Sequence, residues 1–246
     1  MINQELFGVI LAGGLGSRML PLTKITNKHL LPVYDKPMIM YPIQMMVDAG
    51  IKDIALVTGG NFAGDFLRLL GDGRHMGLNS LHYTYQEGEG GIAHALSLVK
   101  HITQGRSIVV LLGDNLFEKG IAEHVNKYVQ QNGRGAMICV KKVKDPERFG
   151  VTVLKNQKPD LIIEKPKKPI SDLAVTGLYF YDKRVFDMIT DLKPSDRGEL
   201  EITDVNNAYI KKNDMSCSQV KGWWTDCGTF ESLYRASSFI KKTRQT

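Results

Sequence analysis

The chain has 246 residues, 43% of them hydrophobic and 24% charged, with 32 Lys and Arg against 26 Asp and Glu. This balance suits a globular protein with a sizeable core, and no stretch approaches the roughly 18 apolar residues that a membrane-spanning helix needs. The net charge of +6 suits an anionic substrate such as a nucleotide, and it leaves a weak nucleic-acid contact as a lesser alternative.

Along the chain, short apolar runs rich in β-branched residues alternate with helix-like segments. Strands are expected at Phe7–Ala12, Asp53–Thr58, Leu81–Gln86, Ser107–Leu112 and Ala136–Lys141, with helices at Met38–Asp48, Phe62–Leu70, Ile92–His101 and Ala122–Gln131 between them. This alternation predicts an α/β fold with a largely parallel sheet covered on both faces. After Phe149 the pattern changes to the strand-like runs Phe149–Leu154, Leu161–Glu164 and Val175–Tyr181, followed by helices at Leu200–Lys212 and Thr229–Lys242. The second half therefore reads as antiparallel or mixed additions to the same sheet, and residues 1–246 as one domain. The stretch KPKKP at Lys165–Pro169 is too short for a linker and reads as a loop. The N-terminus MINQELFGVILAGG lacks a basic leader region. Cys139, Cys217 and Cys227 are odd in number and lack CxxC spacing, so reduced thiols in the cytoplasm are expected. Met38, Met40, Met45 and Met46 cluster in one helical segment, as core or interface packing would require.

The first strand stops at Gly13, Gly14 and Gly16, followed by Ser17 and Arg18. A glycine turn after a strand brings backbone N–H groups close to a ligand, often a phosphate. A P-loop would need a Gly-Lys pair with a following hydroxyl, which is absent. A dinucleotide fingerprint would need a third glycine where Met19 stands. What remains is a glycine turn with two cations, Arg18 and Lys28, able to neutralise charge on a polyphosphate leaving group. Asp114, after the apolar run SIVVLLG, falls at the carboxyl end of a strand, where open α/β sheets bind ligands.

The segments LAGGLGSRMLPLT and NKHLLPVYDKPMI, with GDN at Gly113–Asn115, DPERFGV at Asp145–Val151, EKP at Glu164–Pro166, VTGLYFYD at Val175–Asp182, RGELEITD at Arg197–Asp204 and WWTDCGT at Trp223–Thr229, resemble the sugar-1-phosphate nucleotidylyltransferases. The similarity covers nearly the whole chain in order. It implies a three-layer α/β/α, Rossmann-like fold with a mixed, mostly parallel sheet of the nucleotidyltransferase type. It also implies a reaction in which a sugar 1-phosphate attacks the α-phosphorus of a nucleoside triphosphate and expels pyrophosphate. More narrowly, the resemblance implies dTTP and glucose 1-phosphate as substrates; UTP or another sugar 1-phosphate, and a non-catalytic binding protein of this fold, are the alternatives. A phosphate monoester is mostly dianionic at neutral pH, so no general base is needed and positioning and electrostatics should dominate.

By resemblance, Asp114 and Asp226 hold Mg²⁺, a hard cation suited to carboxylate and phosphate oxygens. Gly13, Gly14, Gly16, Ser17 and Arg18 form the triphosphate loop, Arg18 is the main transition-state cation, and Lys28 is the second. Gln86 and Gly91 read the base, the amide of Gln86 offering both a donor and an acceptor. Gly150, Glu164 and Val175 line the sugar pocket, and Lys165 pairs with the sugar phosphate; Arg197 either assists there or is an exposed cation. His29 stands where many longer relatives carry Gln, so its deoxyribose contact differs. Cys227 replaces Thr or Ala and reads as packing. The chain ends about 20 residues after Asp226, as in the short form of the family. The partners implied are the two substrates and further copies of the chain in a homo-oligomer, with no nucleic acid and no membrane; the product would feed dTDP-sugar and polysaccharide synthesis.

Overall fold

A computed structural model describes residues 6–244. The leader expectation drawn from the first residues, Met1–Glu5, lies outside them. Strand β1 (Leu6–Ala12) is buried along its whole length, as a central strand with helices on both faces must be. The chain then makes a small hairpin, β2 (Pro32–Val33) and β3 (Lys36–Pro37), before α1 (Met40–Asp48), β4 (Asp53–Gly59), α2 (Ala63–Leu70), β5 (Ser80–Gln86), α3 (Gly91–Ser97) and α4 (Lys100–Thr103). Strand β6 (Ser107–Leu112) leads into the short β7 (Asn115–Phe117), α5 (Ala122–Gln130) and β8 (Ala136–Lys142). The second half comprises β9 (Gly150–Lys155), β10 (Lys158–Glu164), β11 (Leu173–Tyr181), α6 (Val185–Thr190), α7 (Ile202–Lys211), β12 (Met215–Gln219), β13 (Trp224–Asp226) and α8 (Phe230–Arg244).

The main sheet runs β12–β8–β11–β6–β1–β4–β5. The pairs β6–β1, β1–β4, β4–β5 and β8–β12 are parallel, while β11 lies antiparallel between β6 and β8. The β9–β10 hairpin joins the start of β11 through Val151 and Ala174. This is the mixed, mostly parallel α/β fold expected. Alternation along β1 sends Phe7, Val9 and Leu11 to one face, where they meet Leu96 of α3, Ile189 of α6 and Tyr209 of α7. Leu6, Ile10 and Ala12 face the other way onto Met46 of α1, Phe66 of α2 and Tyr128 of α5. Met38 and Met46 are fully buried, in line with core packing.

Two expectations need correction. The helix expected over Ile92–His101 is two pieces, α3 and α4, broken at Leu98–Val99; Val99 is fully buried, and tertiary packing overrides local continuity there. The strand expected from Phe149 begins at Gly150, because Pro146–Arg148 forms a tight helical turn first.

Candidate active site

The loop after β1 owes its shape to the residues that spoiled the other phosphate-loop patterns. Gly16 takes a left-handed backbone (φ 69°) and opens a tight helical turn, Ser17–Met19. Met19, which stands in place of a third glycine, is fully buried and pins this turn to the core. Thr23 donates its hydroxyl to the Gly16 carbonyl at 2.9 Å. Arg18 is thereby left exposed at the lip of the cleft. A later tight turn, Lys28–Leu30, is capped by Asn27, whose Oδ1 accepts from the His29 N–H at 3.0 Å. The Lys28 stem runs along Gly14 and Gly16 and carries its ammonium to Asp114, with Nζ 2.6 Å from Oδ2.

Asp114 and Asp226 come from distant parts of the chain and are joined by a two-strand ladder. β7 pairs antiparallel with β13, setting Asn115 opposite Asp226, and the Cys227 N–H donates to the Asp114 carbonyl at 2.8 Å. Burial works against the Asp114 charge, but the Lys28 ammonium, the neighbouring His29 and the hydrogen bond from Asn115 Nδ2 (2.9 Å) hold this carboxyl well below the usual carboxylate range. Asp226 shifts the opposite way. Burial and the Asp114 charge push it up, and Arg148 and Arg18 compensate only in part. Two carboxylates crowded into one cleft, one of them under-neutralised, form a donor set that a hard dication relieves. Among the described residues no group of three or more His, Cys, Asp and Glu side chains is placed to hold a metal. Two protein oxygens plus phosphate oxygens therefore suit Mg²⁺ and not a closed zinc site.

Two clefts meet at this ladder. One, of about 350 Å³, is lined by Gly13, Gly14, Lys28, His29, Gln86 and Gly91. The other, of about 420 Å³, is lined by Gly150, Glu164, Val175 and Asp226. Arg18, Asp114 and Lys165 line both. Glu164 accepts from the Thr203 hydroxyl at 2.6 Å through Oε2, and its Oε1 lies 3.8 Å from Lys165 Nζ. The geometry thus brings together thirteen of the fifteen residues expected at the site: Gly16 and Ser17 shape the turn without lining either cleft. Arg197 is paired to Glu201 through two nitrogens at 2.8–3.1 Å and lines neither cleft, matching the exposed-cation reading. Cys227 is fully buried beside Val33, Met38, Leu116 and Ala236, so it packs as expected.

Sequence reasoning missed several contributors. Arg148 Nη2 lies 3.1 Å from both Asp226 oxygens, and its Nη1 lies 2.7 Å from Asp145. Asn115 binds Asp114, accepts from the Gly177 N–H at 3.0 Å and accepts from the Trp224 indole at 2.9 Å. Both residues sat inside quoted motifs, DPERFGV and GDN; only the fold shows which polar side chain of each turns inward. The Gln86 amide nitrogen lies 3.1 Å from the Gly91 carbonyl and 3.2 Å from His94 Nδ1. His29 is buried, with Nδ1 2.7 Å from Asn27 Oδ1. Burial and Lys28 push its pKa down to about 3.

Residues 7–243 match the nucleotidyl transferase family across nearly the entire chain. The chain belongs to that family. Within it, the chain is 43% identical to glucose-1-phosphate thymidylyltransferase of Neisseria meningitidis, over 95% of this chain and 82% of that one. The enzyme of the same name from Mycobacterium tuberculosis is 41% identical, with the same coverage. A Bacillus anthracis protein named provisionally as a glucose-1-phosphate thymidylyltransferase, crystallised with sucrose, superposes with a TM-score of 0.91 at 47% identity, covering 96% of this chain and 95% of that one. A UDP-glucose pyrophosphorylase solved with UDP-glucose shares the fold at a TM-score of 0.83 and 24% identity, over 96% of this chain and 98% of its own.

Proposed function

We propose that this nucleotidyl transferase is a glucose-1-phosphate thymidylyltransferase, joining dTTP and glucose 1-phosphate to give dTDP-glucose and pyrophosphate. The observation that carries the reading is the meeting of two clefts at Arg18, Asp114 and Lys165. A triphosphate in the first cleft and a sugar phosphate in the second would bring their reacting phosphates to that junction. The names of the relatives favour dTTP and glucose 1-phosphate as the pair. With the reading go one nucleotidyltransferase domain, a cytoplasmic location and a homo-oligomer.

A phosphate oxygen of glucose 1-phosphate forms the new bond to the α-phosphorus as the bond to the bridging oxygen of pyrophosphate breaks. The nucleophile is already ionised, so the protein's work is to hold two polyanions in line. Lys165 and Arg18 both line the junction, and Arg18 and Lys28 offset the charge that gathers on departing pyrophosphate. Glu164, fixed by Thr203, accepts from sugar hydroxyls. Asp114 and Asp226 would hold Mg²⁺, which supplies charge neutralisation to the phosphates. Lys28 then exchanges its hold on Asp114 for the triphosphate. Pyrophosphate release by the purified protein, measured with dTTP, UTP, CTP, ATP and GTP against several sugar 1-phosphates, tests the reading. The expected result is the fastest release with dTTP and glucose 1-phosphate. No release with any pair refutes it.

A further inference from the structure

In the first cleft, Gly91, His94 and Gly13 surround the amide of Gln86. The side chain is 6% exposed, and its nitrogen lies 3.1 Å from the Gly91 carbonyl and 3.2 Å from His94 Nδ1. The Gly91 carbonyl can only accept, so the amide atom beside it is the nitrogen whichever way a side-chain amide is drawn. That nitrogen has two protons. One goes to Gly91, and the other meets His94 Nδ1, which must then present its lone pair and carry its ring proton on Nε2. Both amide protons are consumed inside the protein. Gln86 Oε1 is left pointing past Gly13, where an added Cβ would lie 2.8 Å from it, and no hydrogen bond from the described residues reaches this oxygen. His94 fits against Gln86 because Gly90 has no side chain: a Cβ there would collide with the ring.

We propose that His94 is a specificity-determining, positioning residue: by taking the second amide proton of Gln86 it makes that side chain a pure acceptor, and so selects pyrimidines that carry an N3–H. Thymine and uracil offer that proton. Cytosine presents a lone pair at N3, and two lone pairs facing each other in a buried site leave both unpaired. The selection thus concerns the base edge and is separate from the choice between ribose and deoxyribose. It rests on the nucleotide occupying this cleft, as proposed above.

Three variants test the arrangement, with dTTP and dCTP binding measured by calorimetry alongside the KM and kcat of pyrophosphate release. In the unaltered protein, dTTP should bind on the order of 10-fold or more tighter than dCTP. H94K replaces a lone pair with a group that can only donate, so the second amide proton loses its acceptor, the ammonium repels it, and the Gly91 carbonyl alone is left to hold the amide. The dTTP:dCTP ratio should fall by about 10-fold or more, with KM for dTTP rising and kcat changing less. H94Q restores an acceptor and should recover the ratio, whereas H94L should fall between the two. Ring ¹⁵N shifts should show His94 protonated at Nε2 in the unaltered protein. An unchanged ratio in H94K, an equal loss in H94Q and H94K, or a ring protonated at Nδ1 overturns the proposal. A failure of the thymidylyltransferase reading looks different: the unaltered protein then shows no turnover with dTTP.

Discussion

At the scale of single residues, the site is built from charges that offset one another before any substrate arrives. Lys28 neutralises Asp114, and Arg148 only partly neutralises Asp226. Removing either carboxylate should therefore remove metal-dependent turnover without unfolding the protein. D114N and D226N are each expected to lose pyrophosphate release while keeping the far-ultraviolet spectrum and denaturation midpoint close to those of the parent. Near-normal rates in both at limiting Mg²⁺ would reject the metal assignment. Among the described residues Arg18 forms no ion pair within 4.0 Å, and it stands at the junction of the clefts. R18A should lower kcat by roughly 10²-fold, the range for one lost transition-state donor; an unchanged kcat returns Arg18 to the surface. The glycine loop, Lys28 and Asp114 were legible in the sequence because a turn, a nearby cation and a strand-end carboxylate are local patterns. Arg148, Asn115 and His94 were not, since an arginine in a turn or a histidine on a short helix becomes a site residue only through partners elsewhere in the chain.

At the scale of elements, legibility followed length and apolar content. β1, β4, β6 and β8 were expected within a residue or so of where they lie, because buried strands are continuous apolar runs, and the edge strand β5 (SLHYTYQ) was legible from its aromatic and β-branched residues. β12 (MSCSQ) lacks such a run, and β7 and β13 have three residues each, so nothing in their own sequence marks them as strands. Yet the β7–β13 ladder is what sets the two aspartates side by side. α8 closes over it, burying Ala236 completely with Leu116 and Cys227, and Trp223 stacks on Phe239 with centroids 4.4 Å apart. Because Ala236 is fully buried, a larger side chain there must displace its neighbours. A236F should cost about 1–3 kcal/mol in urea denaturation and lower kcat as well, since the ladder beneath carries Asp226. A change of only a few tenths of a kcal/mol would mean that α8 does not seal the ladder.

At the scale of the whole molecule, two buried histidines set the response to acid. Burial is the main cause holding both His29 and His124 below the ordinary histidine pKa, His29 at about 3. The unfolded chain binds a proton at each near pH 6.5, whereas the folded His29 refuses it until about pH 3. Their contribution is therefore complete above pH 6.5 and is lost as pH falls through the window below, at up to about 1.4 kcal/mol per pH unit for His29. Urea midpoints should drop between pH 7.5 and 5.5, before most carboxylates titrate, and the drop should be smaller in H29N. A flat profile over that range contradicts the burial described. The alternating pattern of the first half and the mixed pattern of the second were readable from the sequence, but the position of β11 was not: strand order depends on contacts between distant segments, which periodicity does not encode.

That position bears on how the chain is made. β6 pairs with β1 on one edge and with Leu178–Tyr181 of β11 on the other. On a ribosome, β1, β4, β5 and β6 emerge and can assemble with the glycine loop already in place, while the far edge of β6 waits, apolar and unpaired, for β11. An open edge of this kind invites pairing with another nascent chain. The half that would cradle the triphosphate is thus open to misassembly until β11 is made, and slow translation between β6 and β11 lengthens that exposure.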